Sequence, residues 1–387
     1  MLVDLDPART SALVPRTSCW RMFFSPRECR FADLLPQWEN LLQASGNLNA
    51  MYQAPEWLAC MQATHSPRHL ALALLPDDAG MPIGLAPLCV EPHDLHFHVS
   101  GRILGTMGLQ AVFVLGGQPL LPPEPKLHDA FFAALATDFP HCQAIALSTV
   151  PVDGFLWRYL HTSQAIQQRF LLHIPEGIEH CHTCAVPESF AEYNAKFTAK
   201  KRYNLKRQAR ILRARGGGHL ELRRIESRND LPLFRDAIHA VSIGNANGSP
   251  QKESRLEYDG LAERAERGLL RCYALQCGND YVAWARGYQY RGVYHVVLTH
   301  YHRNFARFSP GTVLHYLMIK DLIEHQRPQM ISFGYGDPVY QHQSCNQTLP
   351  YARVLLLRRN LANHCRQFSH LRFRQLVRFL RARVLAR

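Results

Sequence analysis

The sequence predicts an α+β fold in which mixed, mostly antiparallel sheets are flanked by helices. Short apolar runs joined by tight turns, such as Cys277-Gly278-Asn279-Asp280 and Arg291-Gly292, predict antiparallel hairpins. Amphipathic stretches with cap signals predict helices between these hairpins. A length of 387 residues with 47% hydrophobic content suffices for a sizeable core and indicates about two domains.

The N-terminal half mixes helices and strands after an irregular start. Residues 1–30 are punctuated by Pro7, Pro15 and Pro26 and predict no regular element. Apolar periodicity then predicts helices at 31–42, 53–61 and 127–137, and strands at 69–75, 81–90, 111–115 and 144–148. A domain boundary is predicted between about residues 166 and 187.

The C-terminal half predicts a meander of strands that leads into one crossover helix. Ser189 and Glu192 form a capping-box pattern, and the helix that follows stops at Gly216-Gly217-Gly218. Polar residues 245–254 form a candidate mobile lid. The remaining predicted elements are strands at 220–225, 271–277, 281–290, 293–301 and 330–333, and helices at 231–243, 256–267 and 310 to about 326.

The turn at 302–311 lies between an apolar strand and the start of a helix. Pro310 suits the first helical turn, because its missing N–H would have no partner there. Free backbone N–H groups and the positive end of the helix dipole make such a turn suitable for phosphate. The alternative is an ordinary strand–loop–helix connection. The residues predicted to bind phosphate are Arg303, Phe305, Arg307, Ser309, Gly311 and Thr312.

Six motifs along the chain together resemble one branch of a known superfamily. They are the helix start SPG-x-x-L at 309–314, the corner FGYGDPVY at 333–340, the basic helix at 189–215, and YQAPEWL, IGLAPL and RILGTMG in the first third of the chain. This set resembles the CelD-like and FemAB-like branch (the BioF2-like acetyltransferase domain) of the GNAT superfamily, over about residues 38–357. Two departures are visible: Gln341 replaces the family's lysine, and the phosphate turn has one glycine where GNAT loops are glycine-rich.

The resemblance implies tandem GNAT-like domains and an N-acyltransferase. Residues 31–175 would form a degenerate N-terminal domain, 185–357 the catalytic domain and 358–387 an Arg-rich helical tail. The donor would be acyl-CoA or a phosphopantetheine-linked acyl group on an acyl carrier protein, with no metal. The acceptor would be an amine of a peptide, amino acid or sugar, which attacks the thioester directly. Acyl chain length and acceptor identity stay open, since fold does not decide function.

Three residues are candidates for proton transfer in such a reaction. Asp337 and Tyr340 match the family's corner, although Asp337 is equally typical of a Gly-Asp-Pro turn. His300 ends the strand before the phosphate turn. Regular alternation places His300 and His295 on opposite faces of that strand, so both reach one cleft only if the strand bulges. The plainer interpretation of each histidine is a surface or strand-edge residue.

The net charge of +13 is concentrated in two segments. Residues 196–215 contain nine Lys and Arg and no acid, and 358–387 contain nine Arg and no acid. The first segment suits an acidic carrier protein, tRNA or cofactor phosphates, or is a solvated helix face. The second suits an anionic membrane surface, or is a helix that packs on its own domain with a charged outer face. Nucleic acid is a weaker third partner for the tail.

Other patterns exclude several classes of protein. Residues 179–184 contain a Cys-x-x-Cys with two histidines, but a second ligand pair is missing, so we predict no metal site and buried cysteines. No apolar run is long enough for a membrane helix, and the first ten residues lack a signal-peptide pattern. We therefore predict a cytoplasmic protein, with peripheral contact to the inner membrane as an option, and reduced cysteines.

Two other functions remain open at this stage. One is FemAB-type aminoacyl transfer from charged tRNA, which the basic helix favours. The other is a non-catalytic accessory protein of envelope-polysaccharide synthesis, which the glycine-poor turn and Gln341 favour. A non-catalytic protein of this kind would bind no acyl donor, and its contact with the membrane would depend on residues 358–387.

Overall fold

The computed structural model describes residues 20–23, 31–64, 69–77, 81–99, 102–243, 255–335 and 345–385. The strands in these ranges form one 13-stranded mixed sheet. They are β1 (Arg21–Phe23), β2 (Leu70–Pro76), β3 (Pro82–Val99), β4 (Arg102–Val114), β5 (Ala144–Pro151), β6 (Phe170–His173), β7 (Ile178–Ala185), β8 (Leu220–Ile225), β9 (Cys272–Cys277), β10 (Asp280–Tyr290), β11 (Val293–Tyr301), β12 (Met330–Tyr335) and β13 (Gln347–Arg358).

Helices cover both faces of this sheet, which confirms the predicted α+β class. In the described ranges they are α1 (Phe31–Ser45), α2 (Pro55–Thr64), α3 (Pro125–Asp138), α4 (Phe155–Thr162), α5 (Gln164–Arg169), α6 (Phe190–Ala195), α7 (Ala199–Arg215), α8 (Leu231–Ile243), α9 (Arg255–Glu266), α10 (Pro310–Glu324) and α11 (Leu361–Leu385). The local signals explain their ends: the Thr198 side chain accepts a hydrogen bond from Lys201 N–H at the start of α7, and Gly216 caps its end.

The same succession of elements occurs twice along the sheet. In the N-terminal half, β2, β3 and β4 form an antiparallel meander, and α3 crosses over to β5, which pairs parallel with β4. In the C-terminal half, β9, β10 and β11 form the meander, and α10 crosses over to β12, which pairs parallel with β11. The tandem arrangement predicted from the sequence is therefore present as two meander–helix–strand units.

The two units exchange strands at the centre of the sheet. The strand order is β1-β2-β3-β4-β5-β13-β7-β12-β11-β10-β9-β8, with β6 beside β13. The early strand β7 pairs with β12 of the C-terminal unit, and the late strand β13 pairs with β5 of the N-terminal unit. β7 and β13 also pair with each other. The predicted domain bounds stay a prediction, since hydrogen bonding runs continuously across them.

Successive residues of β10 belong to separate cores on the two faces of the sheet. Trp284 packs in a cluster that includes Trp38, Trp57 and Phe234, from helices of both units. Ala285 packs in a cluster on the other face, formed by residues of α7, α10 and the C-terminal strands. The cluster that contains Trp284 joins the two units. They are therefore held together both by strand pairing and by the burial of apolar area.

A buried arginine fixes the end of α10. Arg271 is 1% exposed, and its guanidinium donates to the carbonyl of His325 (2.6 Å) and to Gln289 Oε1 (2.8 Å). Arg224 binds Asp321 of the same helix. Burial alone would raise the pKa of Asp321, but hydrogen bonds from Arg224 and Tyr273 outweigh burial and lower the pKa overall. The helix is therefore anchored at its C-terminal end by charged hydrogen bonds.

No helix in the described parts of the chain combines the length and the apolar character that crossing a bilayer requires.

Candidate active site

A β-bulge in β11 changes which side chains share a face. Arg286 of β10 lies opposite Leu298, whereas the next residue, Gly287, lies opposite Val296, so Val297 is an extra residue on β11. His295 lies opposite Tyr288, and His300 lies opposite Trp284. Because of the bulge, His295 and His300 are on one face. Both histidines can reach one cleft only if the strand bulges, and the structure has this bulge.

β11 and β12 separate immediately beyond this point. Their parallel pairing covers only Val293–His295 with Met330–Ser332, although β11 continues to Tyr301. β12 is irregular beyond this point: Gly334 has a left-handed φ of 74°, and the pairing of β12 with β7 shifts register between Ser332 and Tyr335. Within the described residues, the β12-facing edge of β11 therefore has no strand partner after His295. The place where this ladder ends is called the gap below; it is bordered by backbone polar groups of β11, which require partners when a ligand displaces water.

The turn after β11 leads directly to the N-terminus of α10. It consists of a 3-10 turn (Arg303–Phe308), then Ser309 in the left-handed region with φ of 55° and ψ of 50°, then Pro310. The Ser309 side chain does not cap α10, because its Oγ accepts a hydrogen bond from Gln208 Nε2 of α7 at 3.3 Å. The N–H groups of Gly311 and Thr312, in the first turn of α10, thus receive no side-chain cap.

Among the other residues predicted to bind phosphate, the two arginines lie at the surface and Phe305 does not. Arg303 and Arg307 are exposed, and the Arg307 guanidinium lies 4.7 Å from the centre of the Phe308 ring. Phe305 is buried in the core, and its N–H donates to the His302 carbonyl at 3.0 Å. Phe305 therefore packs the turn against the domain, and its predicted contact with phosphate stays a prediction.

The basic helix α7 lies beside the phosphate turn. Gln208 provides the contact to Ser309, while Leu205 and Leu212 are buried beneath the helix. The basic side chains of the outer face remain in solvent; the exposed ones are Lys200, Lys206, Arg207, Arg210, Arg213 and Arg215. Positive charge of this density raises the local concentration of an anionic ligand. This location is compatible with the predicted contact to cofactor phosphates, which stays a prediction.

The two histidines of the shared face are neutralised by burial. His295 is 5% exposed, and burial lowers its pKa to about 4; His300 is half-buried, and burial and then Arg286 lower its pKa. The His300 ring lies 4.9 Å from Trp284, and the His295 ring 6.0 Å from Tyr52. Each buried Nε2 atom has no hydrogen-bond partner among the described residues. From the sequence, His295 is a weaker candidate than His300, because regular alternation along β11 places the two histidines on opposite faces.

Asp337 and Tyr340, with Gln341 and the predicted lid at 245–254, lie outside the described residues. Their predicted roles stay predictions.

A cysteine and a serine at the origin of the gap were missed by sequence reasoning. Ser332 pairs with His295 across the last ladder position, and its Oγ lies 3.6 Å from Cys181 Sγ. Burial raises the pKa of the Cys181 thiol, so this thiol stays protonated near neutral pH. It is therefore a small buried group at the gap and not an activated nucleophile.

The remaining side chains of β7 point elsewhere. Cys345 Sγ lies 3.7 Å from His182 Nδ1, and Lys196 Nζ lies 3.7 Å from Cys184 Sγ. Cys181 contacts Ser332 instead, so the Cys-x-x-Cys pattern does not gather its ligands. Across the part of the chain that the structure describes, no group of three or more His, Cys, Asp or Glu residues could hold a metal ion.

Comparison with known proteins identifies the class. Residues 199–342 match the model of the acetyltransferase (GNAT) domain family. This match begins with α7 and includes β9 to β12 and α10, so it contains the bulge of β11, the phosphate turn and the start of α10. The C-terminal half therefore resembles a GNAT domain over these residues.

Solved structures share the fold of this chain. The fold is similar to that of FemX, with 11% identity and a TM-score of 0.55, over 83% of this chain and 95% of FemX. It is also similar to a GCN5-related glucosamine N-acetyltransferase region in a fungal multi-domain GH3 β-N-acetylglucosaminidase, with 9% identity and a TM-score of 0.50, over 90% of this chain and 39% of that protein. Comparison with curated protein sequences gave no significant match. The predicted resemblance to the GNAT superfamily is confirmed by the match over residues 199–342, and the fold is similar to that of FemX.

Buried neutral histidines make stability depend on pH. His295 has a pKa of about 4 in the folded chain and about 6.5 when unfolded. Between these values the unfolded chain binds more protons, so the free energy of unfolding should fall as pH decreases from about 6.5 to 4. His295→Gln should reduce this slope by up to about 1.4 kcal/mol per pH unit. Denaturant unfolding across this range measures the slope, and data above about pH 7 isolate the packing effect. An unchanged slope would contradict burial of His295.

Proposed function

We propose that this chain is an N-acyltransferase. It would move an acyl group from a thioester, on coenzyme A or an acyl carrier protein, to an amine of a peptide, amino acid or sugar. The observation that carries the proposal is the gap between β11 and β12 next to the uncapped N-terminus of α10. Both features lie within residues 199–342, which match the GNAT domain model.

The residues of the site divide the work in this proposal. The N–H groups of Gly311 and Thr312 would bind the donor's phosphate, with Arg303 and Arg307 beside them. The amine nitrogen would attack the thioester carbonyl, the C–S bond would break, and the thiolate would leave with a proton derived from the amine. Backbone N–H groups along the open edge of β11 would stabilise the oxyanion.

Proton transfer needs a group near the reacting nitrogen. His300 and His295 share the face at the gap, and both are neutral near pH 7 because burial lowers the pKa of each. A neutral imidazole can accept a proton, but a low pKa makes it a weak base. Asp337 and Tyr340 are retained as proposed partners in this step.

Gly311→Glu should weaken donor binding without weakening the fold. Gly311 occupies the second position of α10, where a carboxylate favours the helix dipole and repels phosphate. We expect at least about tenfold weaker binding, by the loss of a charge-assisted hydrogen bond of about 1.5–3 kcal/mol. Calorimetry with acetyl-CoA, a long-chain acyl-CoA, free coenzyme A and an acyl carrier protein measures this affinity, and thermal unfolding measures the fold.

Gly311→Ala is the matched control. A Cβ at this position would lie 3.5 Å from Tyr301 Cδ1, an ordinary van der Waals contact, so the helix should accept it. Binding that survives in Gly311→Ala and is lost in Gly311→Glu would support the phosphate site. Equal affinity in both variants would contradict it, and wild-type protein that binds none of the four probes would overturn the acyl-thioester donor.

A second function has its own support. FemAB-type transfer from aminoacyl-tRNA is favoured by the FemX-like fold and by the exposed basic face of α7 beside the turn. A tRNA donor requires many phosphate contacts, so binding should weaken by orders of magnitude between low and moderate salt. Gel-shift titrations with charged tRNA at two salt concentrations distinguish this donor from coenzyme A.

A further inference from the structure

The C-terminal helix α11 packs on the N-terminal unit along one side only. His370 is buried, and its Nε2 lies 3.2 Å from the carbonyl of His96 in β3. The rings of Phe373 and Phe97 are 5.0 Å apart, and Gln367 Nε2 donates to the Leu172 carbonyl of β6 at 2.8 Å. Because these contacts hold α11 firmly against β3 and β6, its opposite side faces solvent.

The solvent-facing side of α11 carries several large apolar side chains. At 100° per residue, Leu361, Phe368 and Phe379 fall within about 20° of the line opposite His370. A helix that packs on its own domain normally places polar residues there. Instead, this face carries four large apolar side chains that are 53–85% exposed, with Leu371 and Leu380 exposed on the two flanks of the helix; the four are Leu361, Phe368, Leu376 and Phe379. The predicted packing of the tail on its own domain is therefore found, but its outer face is apolar as well as basic.

The charge of this helix restricts what could cover the apolar face. The segment 358–387 contains nine Arg and no acid. Arg372 and Arg378 are exposed, and the Arg372 guanidinium lies 5.0 Å from the centre of the Phe368 ring. A second copy of the chain would bring arginines against arginines, whereas an anionic lipid surface accepts both the apolar side chains and the charge.

A second exposed apolar element lies next to α11. The tip of the β3–β4 hairpin carries Ile103 and Leu104, which are 54% and 65% exposed, beside the exposed Arg102. Phe97, which contacts Phe373 of α11, is paired with Gly105 in the same hairpin. Large exposed aliphatic residues beside a basic residue are typical of segments that enter a membrane interface.

We propose that the outer face of α11, with the tip of the β3–β4 hairpin, binds the surface of an anionic phospholipid bilayer. The 25-residue helix is about 37 Å long and would lie in the plane of the interface, with its apolar side chains among the acyl chains and its arginines at the phosphates. This inference does not depend on the proposed acyl transfer, because no residue of the site takes part.

Sedimentation with vesicles tests the proposal on the full chain. We expect binding to vesicles of equal phosphatidylcholine and phosphatidylglycerol, weak binding to phosphatidylcholine alone, and reversal by high salt. Phe368→Gln/Leu376→Gln keeps good helix formers and should reduce the partition coefficient at least about tenfold. Arg372→Gln/Arg378→Gln should reduce it by roughly fivefold for each charge lost, on anionic vesicles only.

Phe368→Leu/Leu376→Phe is the matched control and should bind like the wild type, since it exchanges apolar side chains at the same exposed positions. Thermal unfolding should be unchanged in all three variants, because the altered side chains are exposed. No binding to either vesicle would overturn the proposal, as would binding that ignores the apolar substitutions. Capture of duplex DNA that depends on the arginines alone, with no vesicle binding, would assign the face to nucleic acid instead.

Discussion

Replacing Arg271 with methionine should lower the free energy of unfolding by about 3–5 kcal/mol. Arg271 is almost fully buried and donates to Tyr273 Oη, Gln289 Oε1 and the carbonyl of His325. Its guanidinium also lies 3.6 Å from Asp321 Oδ2. Methionine fills a similar volume but leaves these acceptors and the carboxylate without their buried cation. The loss is therefore electrostatic and hydrogen-bonding, not a cavity effect.

Arg267→Met is the matched control for this substitution. Arg267 forms a half-exposed pair with Glu263 one helical turn away, at 3.8 Å, and such pairs contribute about 0.3–0.5 kcal/mol. Chemical denaturation of both variants gives the two free energies. Similar losses would mean that Arg271 is not a buried anchor. Because Arg271 holds the C-terminal end of α10, its loss should also loosen the helix whose other end forms the phosphate turn.

The local elements were predictable because their signals are local. The capping pattern at Ser189 and Glu192, the stop at Gly216 and the glycine turns of the C-terminal meander fix helices and hairpins within a few residues. The strand exchange was not predictable in this way. β7 and β13 have the same alternating pattern whichever neighbour they pair with, so the sequence does not show that each joins the other unit.

The site was predicted in part for the same reason. The turn at 302–311 and the helix start at Pro310 depend on residue type and were recognised. His295 was undervalued because a bulge at Val297 changes the face of every later residue, and one extra residue has no sequence signal of its own. The orientation of α11 was likewise hidden. The charge of α11 is visible in the sequence, but the side of the helix that packs on β3 is determined by tertiary contacts.

Gly287→Ala should destabilise the fold by about 1–3 kcal/mol and disturb the bulge. Gly287 lies at the register shift opposite Val296, and a Cβ there would lie 2.7 Å from Cε2 of the Tyr294 ring, with Cζ and the hydroxyl nearer still. The ring cannot swing aside, because Tyr294 is fully buried and its hydroxyl donates to the Arg271 carbonyl at 3.0 Å. The strain must therefore move β10 against β11, and with them His295 and His300. Denaturant unfolding and acyl-donor calorimetry measure both effects.

Gly105→Ala is the control, since Gly105 also adjoins a register shift in a hairpin but has no atom within 4 Å of a would-be Cβ. That variant should be unchanged or gain up to about 1 kcal/mol. A double-mutant cycle with Tyr294→Leu identifies the cause, because the shorter side chain removes the clashing atoms. Gly287→Ala should then cost less in the Tyr294→Leu background than in the wild type. Equal costs in the two backgrounds would show that the Tyr294 ring does not impose the glycine, and that the bulge is held by the backbone pairing of β10 and β11 alone.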